Sequence, residues 1–471
     1  MRPLEVVLLI MSGAAFLTLI KPRLRASRWT STLVPLAPAT AAAQAALEGP
    51  RWQMVPAYVV SGLLFVAWLI RCRPLGRFAM TVAAVVGALG LLLSVALPTV
   101  LPVFSFPPPS GPYPIGTLTY HWIDAARPDV FIPNTDQLRE LIIQVWYPAR
   151  ASASSVRAPY LDNPAELAPV EHLLHLPDFL FDHFKYVATH ATPSAPAADD
   201  VHTFPVLIFV SGRGGYRQSN TFQVEELVSH GYIVVGLDQP YASAGVVFPD
   251  GRMVAMDPRL YDPARPGHAL FLDSVLPFLT QDVSFTLDQL ARLNLADPSD
   301  ILTGRIDLSR AGIFGVSLGG ILAGEACLRE PRLRACLVMD AFMPANVVEM
   351  GLQEPTMWLS RDRRSMQLEG WTQSDIDETQ TSMRAVYERL ARDSYLVLVP
   401  GLFHNDFTDA PLFSPVGSLL GLSGSLDERR AHGIINAYSL AFFDQYLQHK
   451  PSTLLQGTSA DYPEVLFESR R

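Results

Sequence analysis

Four uncharged, apolar runs crowd the first 104 residues of this 471-residue chain. They occupy residues 6–20, 29–47, 52–70 and 78–104. A membrane-spanning helix needs about 20 predominantly apolar residues, and the third and fourth runs reach that length. The first run is short but gains length from residues 1–4, whereas the second contains Pro35, Pro38 and Gln44 and is marginal. The sequence therefore predicts a membrane domain at residues 1–104, with three or four transmembrane helices.

Two basic clusters lie between these runs and predict their orientation. They consist of Lys21, Arg23, Arg25 and Arg28, and of Arg71, Arg73 and Arg77. Basic residues beside spanning helices mark the cytoplasmic side. If both clusters are cytoplasmic, the second run must cross, which gives four spans and an outside N-terminus; with three spans the first cluster lies on the opposite side. In both arrangements the fourth run leads outward, so we expect a multi-pass protein whose C-terminal part faces the extracytoplasmic side.

A cleaved signal peptide is the alternative interpretation of the first run. Glu5 lies in what would be its positively charged region, which argues against it. The later spans would anchor the chain in either case.

Charge and cysteine content exclude several classes of protein. Residues 1–104 hold nine Lys/Arg and two Asp/Glu, whereas the remainder holds 27 basic and 43 acidic residues. An acidic bulk argues against nucleic-acid binding. The cysteines are Cys72, Cys327 and Cys336, with no C-x-x-C or Cys/His zinc spacing, so we expect no structural metal. A Cys327–Cys336 disulfide is conceivable, but two buried thiols are the favoured interpretation.

Beyond residue 104 the pattern changes twice. Five prolines between residues 105 and 114 predict a stiff, extended linker over 105–116. From residue 117 onward, short apolar runs alternate with helical patterns. Strands are predicted at 141–147, 204–210, 232–238, 311–315, 333–339, 355–360 and 395–399, and helices at 219–230, 281–293 and 428–449. This alternation is typical of an α/β domain, here 117–471, with a mostly parallel central sheet and helices on both faces.

The stretch AGIFGVSLGG at 311–320 carries the strongest chemical signal. Residues 315–319 fit both G-x-S-x-G, the turn that presents a nucleophilic serine, and G-x-x-x-G, a packing motif of membrane helices. The apolar run lies between Arg310 and Glu325 and is too short to span a bilayer. It also divides into a strand pattern up to Gly315 and a helical pattern from Leu318. We therefore predict that Ser317 is a catalytic nucleophile on a strand-to-helix turn.

A serine nucleophile needs a histidine base, which in α/β-hydrolases follows it in the chain. The candidates after Ser317 are His404, His432 and His449. The last two lie on the closing helix and are interpreted as surface or packing residues. His404 follows the strand 395–399, and the carboxyl end of a sheet strand is where sites collect. We predict that His404 is the base.

The third member of the triad has two candidates. Asp340 ends the strand after the nucleophile's helix, and Asp362 follows the next strand. Asp362 has three arginines as neighbours, which favours a surface ion pair. Asp340 emerges among apolar residues, where a carboxylate needs a partner. The residues favour Asp340 and leave Asp362 as the alternative.

Two backbone N–H groups are predicted to form the oxyanion hole. One belongs to Leu318, directly after the serine, and the other to Arg213 in the segment SGRGGYR that follows the strand 204–210. The glycines of this segment permit close backbone approach. The rival interpretation of GRGG is a phosphate-binding loop, but the chain has no G-x-x-x-x-G-K-[ST] motif.

Several of these segments together resemble a known family. FVSGRGGYRQSNTFQVEELVSHGYIVVGLDQP, GIFGVSLGG, LVMDAFMP and GLFHNDFTD are similar to the platelet-activating-factor acetylhydrolase-like branch of the α/β-hydrolases, over residues 117–450. The resemblance implies calcium-independent lipase or esterase activity, without a cofactor, on short or oxidised acyl esters. It also implies that Asp340, in MDAFMP, is the acid. Val316 stands where relatives often have His before the serine, and Ser211-Gly212 stands where they have His-Gly, which puts substrate preference in doubt.

The sequence thus predicts a membrane-anchored serine carboxylic-ester hydrolase acting on ester or lipid substrates. A dienelactone-type hydrolase, a thioesterase or a peptidase would use the same triad. A non-catalytic membrane binding protein with a hydrolase-like domain is the alternative from another class. Residues 239–280 are long and weakly patterned, and we predict that they form a mobile cap over the pocket.

Overall fold

The computed structural model of this chain describes residues 1–20, 28–70, 77–132, 136–151, 156–260, 268–390 and 393–470. Most of the two basic clusters, together with Cys72, lies outside the described residues. Backbone contacts divide the chain into two compact units. The first comprises Met1–Phe104, Phe179–Val187 and Phe413–Val416, and the second comprises Ser105–Asp178, Ala188–Leu412 and Gly417–Arg471.

Within its described residues, the first unit is built from four α-helices. They are α1 (Pro3–Ile20), α2 (Arg28–Leu47), α3 (Val55–Leu69) and α4 (Arg77–Val100). Small and aliphatic side chains such as Ala15, Val34 and Ala37 are fully buried between them, which lets the helices approach closely. Three stretches are long and apolar enough to cross a membrane, namely α1, residues 52–69 and α4. The helix α2 contains Pro35 and Pro38 and is not among them.

One end of this helical unit carries a buried polar cluster. Arg51, between α2 and α3, pairs with Glu5 near the start of α1 at 2.7 Å, and both side chains are buried. Arg51 also donates to the carbonyl of Leu101, just beyond α4, at 2.9 Å. The start of α1, the α2–α3 connection and the end of α4 therefore share one end of the unit. The four helices consequently alternate in direction.

The second unit contains a ten-stranded sheet within the described residues. The strands of this unit are β1 (Ile115–Pro128), β2 (Leu138–Pro148), β3 (Ala191–Pro193), β4 (Phe204–Val210), β5 (Ile233–Asp238), β6 (Gly245–Val247), β7 (Met253–Ala255), β8 (Ile306–Val316), β9 (Leu333–Met339), β10 (Thr356–Ser360), β11 (Ser394–Leu398) and β12 (Leu466–Arg470). Strands β6 and β7 form a small separate hairpin, and the other ten form the sheet. The spatial order is β12-β11-β10-β9-β8-β4-β5-β2-β1-β3. From β5 to β11 all neighbours are parallel, whereas β2 and β12 run antiparallel to theirs. The expected α/β architecture with a mostly parallel sheet is confirmed.

Helices cover this sheet. They are α5 (Ala168–Leu173), α6 (Thr221–Ser229), α7 (His268–Leu295), α8 (Leu318–Arg329), α9 (Ala345–Met350), α10 (Arg363–Glu369), α11 (Gln373–Arg389) and α12 (Glu428–Leu447). The central strands β4 and β5 are buried at every residue because helices pack on both of their faces. The predicted strands at 204–210 and 333–339 match β4 and β9 residue for residue. The strands β1 and β12 and the helix α11 were not predicted.

The segment predicted as a linker packs along the second unit. Phe106 is buried against Tyr160, with ring centroids 5.3 Å apart. Ser110 bonds to the Glu226 carboxylate, and Tyr113 meets the ring of Phe204 edge-on. The prolines that keep residues 105–114 extended thus allow the side chains between them to reach successive parts of the domain.

Candidate active site

Ser317 lies on a sharp turn between the strand β8 and the helix α8. Its backbone angles are φ 58° and ψ −123°, a conformation that non-glycine residues rarely adopt. The N–H of Ser317 donates to the carbonyl of Met339 on the neighbouring strand at 3.0 Å, which holds the turn in place. Such a strained strand-to-helix turn is the context predicted for a nucleophilic serine. The membrane-helix interpretation of residues 315–319 is wrong, because these residues span a strand end, a turn and the first helical turn.

Glycines on either side of Ser317 make this turn possible. A Cβ atom on Gly315 would lie 2.3 Å from the carbonyl oxygen of Gly319. A Cβ atom on Gly319 would lie 1.9 Å from the carbonyl oxygen of Val210, at the end of β4. Both obstacles are backbone atoms, so no side-chain rearrangement could make room. The helix α8 therefore packs against the end of β4 only with glycine at these positions.

Asp340 and His404 meet across the carboxyl ends of β9 and β11. The Nδ1 atom of His404 lies 2.5 Å from the Oδ2 atom of Asp340, and the Ser360 hydroxyl donates to Oδ1 at 2.8 Å. Burial alone would raise the pKa of the Asp340 carboxyl, but the charge of Arg361 and the hydrogen bond from His404 outweigh it, so this pKa lies below its ordinary value. An ionised carboxylate makes Nδ1 the protonated ring nitrogen of a neutral imidazole. The Nε2 lone pair then remains to accept a proton.

Asp362, the alternative acid, has a different role. Its carboxylate accepts the backbone N–H of Ser365 at 3.0 Å and the Ser365 hydroxyl at 2.5 Å, and thereby caps the N-terminus of α10. The structure brings Asp340, and not Asp362, to His404. The expected ion pair between Asp362 and its arginine neighbours is replaced by this cap.

The other two histidines lie on or just after α12, as expected. His432 is buried and stacks on Phe222 with ring centroids 3.7 Å apart. Its Nε2 atom lies 2.9 Å from the carbonyl oxygen of Thr408. His449 follows the helix with a positive φ of 56°. The interpretation of His432 as a packing residue is confirmed.

All five predicted site residues border one cavity of about 510 Å³. They are Ser317, Asp340, His404, Arg213 and Leu318. Its other walls include Phe342, Trp371, Thr372 and Asp375. A second cavity of about 400 Å³, between residues 107–110 and the α12 helix, contains none of them. The predicted residues, dispersed over 192 positions of the sequence, thus converge on a single site.

Both residues predicted to supply the oxyanion donors border the same cavity as the serine. Leu318 is the first residue of α8, whose first-turn N–H groups lack an intrahelical acceptor. The other loop approaches closely, since a Cβ atom on Gly212 would lie 3.2 Å from both the Ser317 Cβ and the Val316 carbonyl oxygen. Val316 and Ser211, the two departures from the family pattern, are both buried beside this contact. Neither is among the described residues that border the cavity.

The described residues of the predicted cap are not among those that border this cavity. The described residues of 239–280 form the β6–β7 hairpin, a short turn and the first part of α7, and residues 261–267 lie outside the described part. Val275 and Leu279 of α7 are buried in the main core, so the helix covers the sheet and is not free to close over a pocket. The wall of the cavity comes instead from residues 370–379, which sequence reasoning missed.

Arg361 was also missed. It was grouped with Arg363 and Arg364 as a surface charge, but its side chain is fully buried, with Nε 2.9 Å from the Asp340 Oδ2 atom. The sequence signal for Arg361 was its position directly after the buried strand TMWLS. The carboxyl end of that strand lies at the end of the sheet that holds the site.

The sequence also led to predictions about metal binding and cysteine pairing. Among the described residues, no cluster of three or more His, Cys, Asp or Glu is arranged to hold a metal ion. Cys327 and Cys336 are unpaired buried thiols, which confirms that interpretation.

The chain is similar to known ester hydrolases. Residues 291–458 match the family model "Platelet-activating factor acetylhydrolase, isoform II". The chain is 26% identical over 289 residues to "Probable 1-alkyl-2-acetylglycerophosphocholine esterase" of Arthroderma benhamiae, which covers 57% of this chain and 67% of that protein. It is 25% identical over 263 residues to platelet-activating factor acetylhydrolase of Cavia porcellus, covering 52% of this chain and 58% of the relative.

A solved structure extends the similarity beyond the matched domain. The ferulic acid esterase from Streptomyces cinnamoneus superposes with a TM-score of 0.63 at 29% identity, covering 77% of this chain and 99% of that one. The similarity to proteins named as ester hydrolases therefore extends over most of the second unit. Residues 291–458 are thus similar to the platelet-activating factor acetylhydrolase, isoform II, family, and the chain is an ester hydrolase.

Proposed function

We propose that this chain is a membrane-anchored serine carboxylic-ester hydrolase of the α/β-hydrolase type. Ser317 is the nucleophile, His404 the general base and Asp340 the group that orients the base. The observation that carries the proposal is the 2.5 Å contact between His404 Nδ1 and Asp340 Oδ2 beside a strained serine turn in the same cavity. A nucleophile, a base and an oriented tautomer are the minimum that such chemistry requires.

The reaction proceeds in two halves. The Ser317 Oγ atom attacks the ester carbonyl carbon while His404 Nε2 takes the hydroxyl proton. The Leu318 and Arg213 N–H groups stabilise the negative oxygen, and Asp340 stabilises the imidazolium. The C–O bond to the alcohol breaks as His404 returns the proton to the leaving oxygen. A water molecule, deprotonated by His404, then attacks the acyl carbon, and the bond from that carbon to Ser317 Oγ breaks as His404 returns the proton to Oγ and the acid leaves.

The substrate is proposed from the cavity and from the relatives. About 510 Å³, with Phe342 and Trp371 among its walls, suits a short or oxidised acyl chain, and the matched family model is named for an acetylhydrolase. An ester of a phospholipid is the first candidate. A second candidate is an aromatic acyl ester, since the aromatic walls and the almost complete coverage of the ferulic acid esterase favour it.

Anchoring is proposed from the helical unit. Only 6% of the most apolar stretch of helix α4 is buried within the protein, and the side chains of Phe78 and Leu92 are largely exposed. A surface this apolar is stable in a bilayer. Because the four helices alternate in direction, residues 21–27 and 71–76 both connect helix ends opposite the Glu5–Arg51 pair. Their basic residues favour four spans with these connections in the cytoplasm, so the chain leaves α4 on the outer side.

A covalent probe tests the catalytic proposal. The detergent-purified full chain should be labelled by a fluorophosphonate, and Ser317→Ala should not. Absence of labelling in the wild type would favour the non-catalytic membrane binding protein. Asp340→Asn should lower the turnover of a nitrophenyl ester by about 10⁴-fold, whereas Asp362→Asn should leave it nearly unchanged. A large loss in Asp362→Asn alone would reverse the assignment of the acid.

Two further experiments address substrate and orientation. A panel of nitrophenyl esters, phospholipids, feruloyl esters, thioesters, dienelactones and peptides separates the activities that share this triad. A reporter active only in the cytoplasm and fused after Arg471 should stay silent, whereas the same reporter inserted after Lys21 should be active. The reverse pattern would contradict the orientation.

A further inference from the structure

A closed ring of contacts surrounds the Asp340–His404 pair. Arg361 Nε lies 2.9 Å from Asp340 Oδ2, and Arg361 Nη1 pairs with the Glu369 carboxylate. The Glu369 carboxylate in turn accepts the backbone N–H of His404 at 3.2 and 3.3 Å. His404 Nδ1 closes the ring on Asp340 Oδ2 at 2.5 Å. The same histidine is thus held through its main chain and through its ring.

The indole of Trp371 packs against two members of this closed ring of contacts, Arg361 and His404. The guanidinium carbon of Arg361 lies 4.2 Å from the centre of the indole, within cation–π range. The ring of His404 lies 5.3 Å from the same indole. Trp371 also borders the cavity that contains Ser317. Arg361, Glu369 and Trp371 therefore each contact His404 or its partner Asp340.

Burial makes these contacts costly to break. The Arg361 side chain is fully buried and its contacts to Asp340 and Glu369 are ion pairs, without aligned N–H hydrogen bonds among the described residues. A buried cation held by two carboxylates is costly to displace, because moving it leaves an unpaired charge. His404 itself begins a single 3-10 turn, His404–Phe407, and has no long element to hold it.

We propose that Arg361, Glu369 and Trp371 form a positioning clamp that fixes the His404 imidazole between Asp340 and Ser317. This inference rests on the proposed function, in which His404 is the base. The clamp members do not touch the reacting atoms, and they act by keeping the base in register. An imidazole that can rotate or shift would present Nε2 to the serine for only part of the time.

Turnover of a soluble nitrophenyl ester by the full chain in detergent tests the clamp. A misplacement of about 1 Å can cost about 100-fold, so Arg361→Gln should lower kcat by about 10- to 100-fold with KM nearly unchanged. Arg361→Lys, which keeps the charge, should recover part of the loss. Arg363→Gln is the matched control, since this arginine is exposed two residues away and pairs with Asp377.

A double-mutant cycle separates positioning from mere folding. In an Asp340→Asn background, where the oriented pair is already broken, Arg361→Gln should change kcat by less than about twofold. Equal losses in both backgrounds, or no loss in either, would overturn the clamp. Glu369→Gln is the second variant if Arg361→Gln does not fold, because it keeps an oxygen for the His404 N–H while removing the charge that faces Arg361. Its effect should likewise vanish in the Asp340→Asn background.

A spectroscopic readout keeps the clamp distinct from the catalytic proposal. The Nδ1 proton shared with Asp340 should give a downfield proton resonance that is lost in His404→Gln. Arg361→Lys and Glu369→Gln should shift or broaden it, and Arg363→Gln should not. If the wild type shows no Ser317-dependent turnover, the proposed function fails, and this resonance alone decides the clamp: an unchanged signal in both variants overturns it.

Discussion

Replacing Gly319 with alanine should damage both folding and turnover. The added Cβ atom would lie 1.9 Å from the Val210 carbonyl oxygen and 2.6 Å from that of Ser211. Alanine gains about 1 kcal/mol in helix propensity over glycine, but overpacking costs about 1–3 kcal/mol and more where neighbours cannot move. Since both neighbours are backbone atoms, of the last residue of the central strand β4 and of the residue after it, we expect a net loss of about 2 kcal/mol in the free energy of unfolding.

The effect on turnover should be larger than the effect on stability. Displacing Ser211 also displaces the following residues, which include the proposed oxyanion donor Arg213. Loss of one such donor costs about 10²- to 10³-fold in kcat. We therefore expect kcat of Gly319→Ala on a nitrophenyl ester to fall by about 100-fold while the protein remains folded.

Gly433→Ala is the matched control for this substitution. Gly433 also lies inside a helix, α12, but a Cβ atom there would meet nothing within 4 Å. It should raise the free energy of unfolding by about 0.5–1 kcal/mol and leave kcat unchanged. Urea unfolding and steady-state kinetics on both variants decide the matter. If Gly319→Ala behaves like Gly433→Ala, the close packing of α8 on β4 is not what requires glycine.

Three further predictions follow from the geometry of the second unit. Asp362→Ala removes the cap of α10 and should cost about 1 kcal/mol in urea unfolding, with kcat within about twofold; a loss of turnover like that of a triad member would contradict its assignment as a cap. Burial lowers the pKa of His432 from 6.5 to about 4, so the unfolded chain binds a proton first and stability should fall by about 3 kcal/mol as the pH drops from 6.5 to 4. His432→Gln should abolish that part of the pH dependence, and an unchanged slope in urea unfolding would refute it. Arg139→Met should destabilise the domain by about 3 kcal/mol or more, because it removes one of the two arginines that pair with the buried Asp282 carboxylate at 2.7 Å; a loss below 1 kcal/mol would show that Arg127 alone pairs Asp282 adequately.

The sequence identified strands and helices where a local hydrophobic pattern defines them. The strand β4 is uniformly apolar because helices cover both faces, and such runs can be read directly from the residues. The strand β12 could not be found in this way. It alternates exposed and half-buried residues at the sheet edge, and only pairing with β11 makes it a strand.

The described residues of the predicted cap lie away from the cavity, because a hydrophobic pattern does not show against which part of the domain a segment packs. Residues 239–280 lack a clear period, which suggested a mobile cover, but the buried Val275 and Leu279 fix α7 on the sheet. The true wall, around Trp371, follows the short capped helix α10. Its placement depends on where β10 ends relative to β11, which is a property of the sheet and not of the segment.

The sequence alone determined the chemistry of the site. The strand-to-helix break at Ser317, the order of serine, acid and histidine, and the glycines at 315 and 319 are encoded locally, because a tight turn and a helix start depend on the residues that form them. Tertiary structure decided which carboxylate lies beside His404. Asp340 and Asp362 both follow parallel strands, and only the packed sheet brings His404 to the first while the second turns back to cap its own helix. Tertiary structure also buries the Arg361 side chain, which its charged neighbours in the sequence do not indicate. Burial and pairing arise from segments distant along the chain, so no local pattern can specify them.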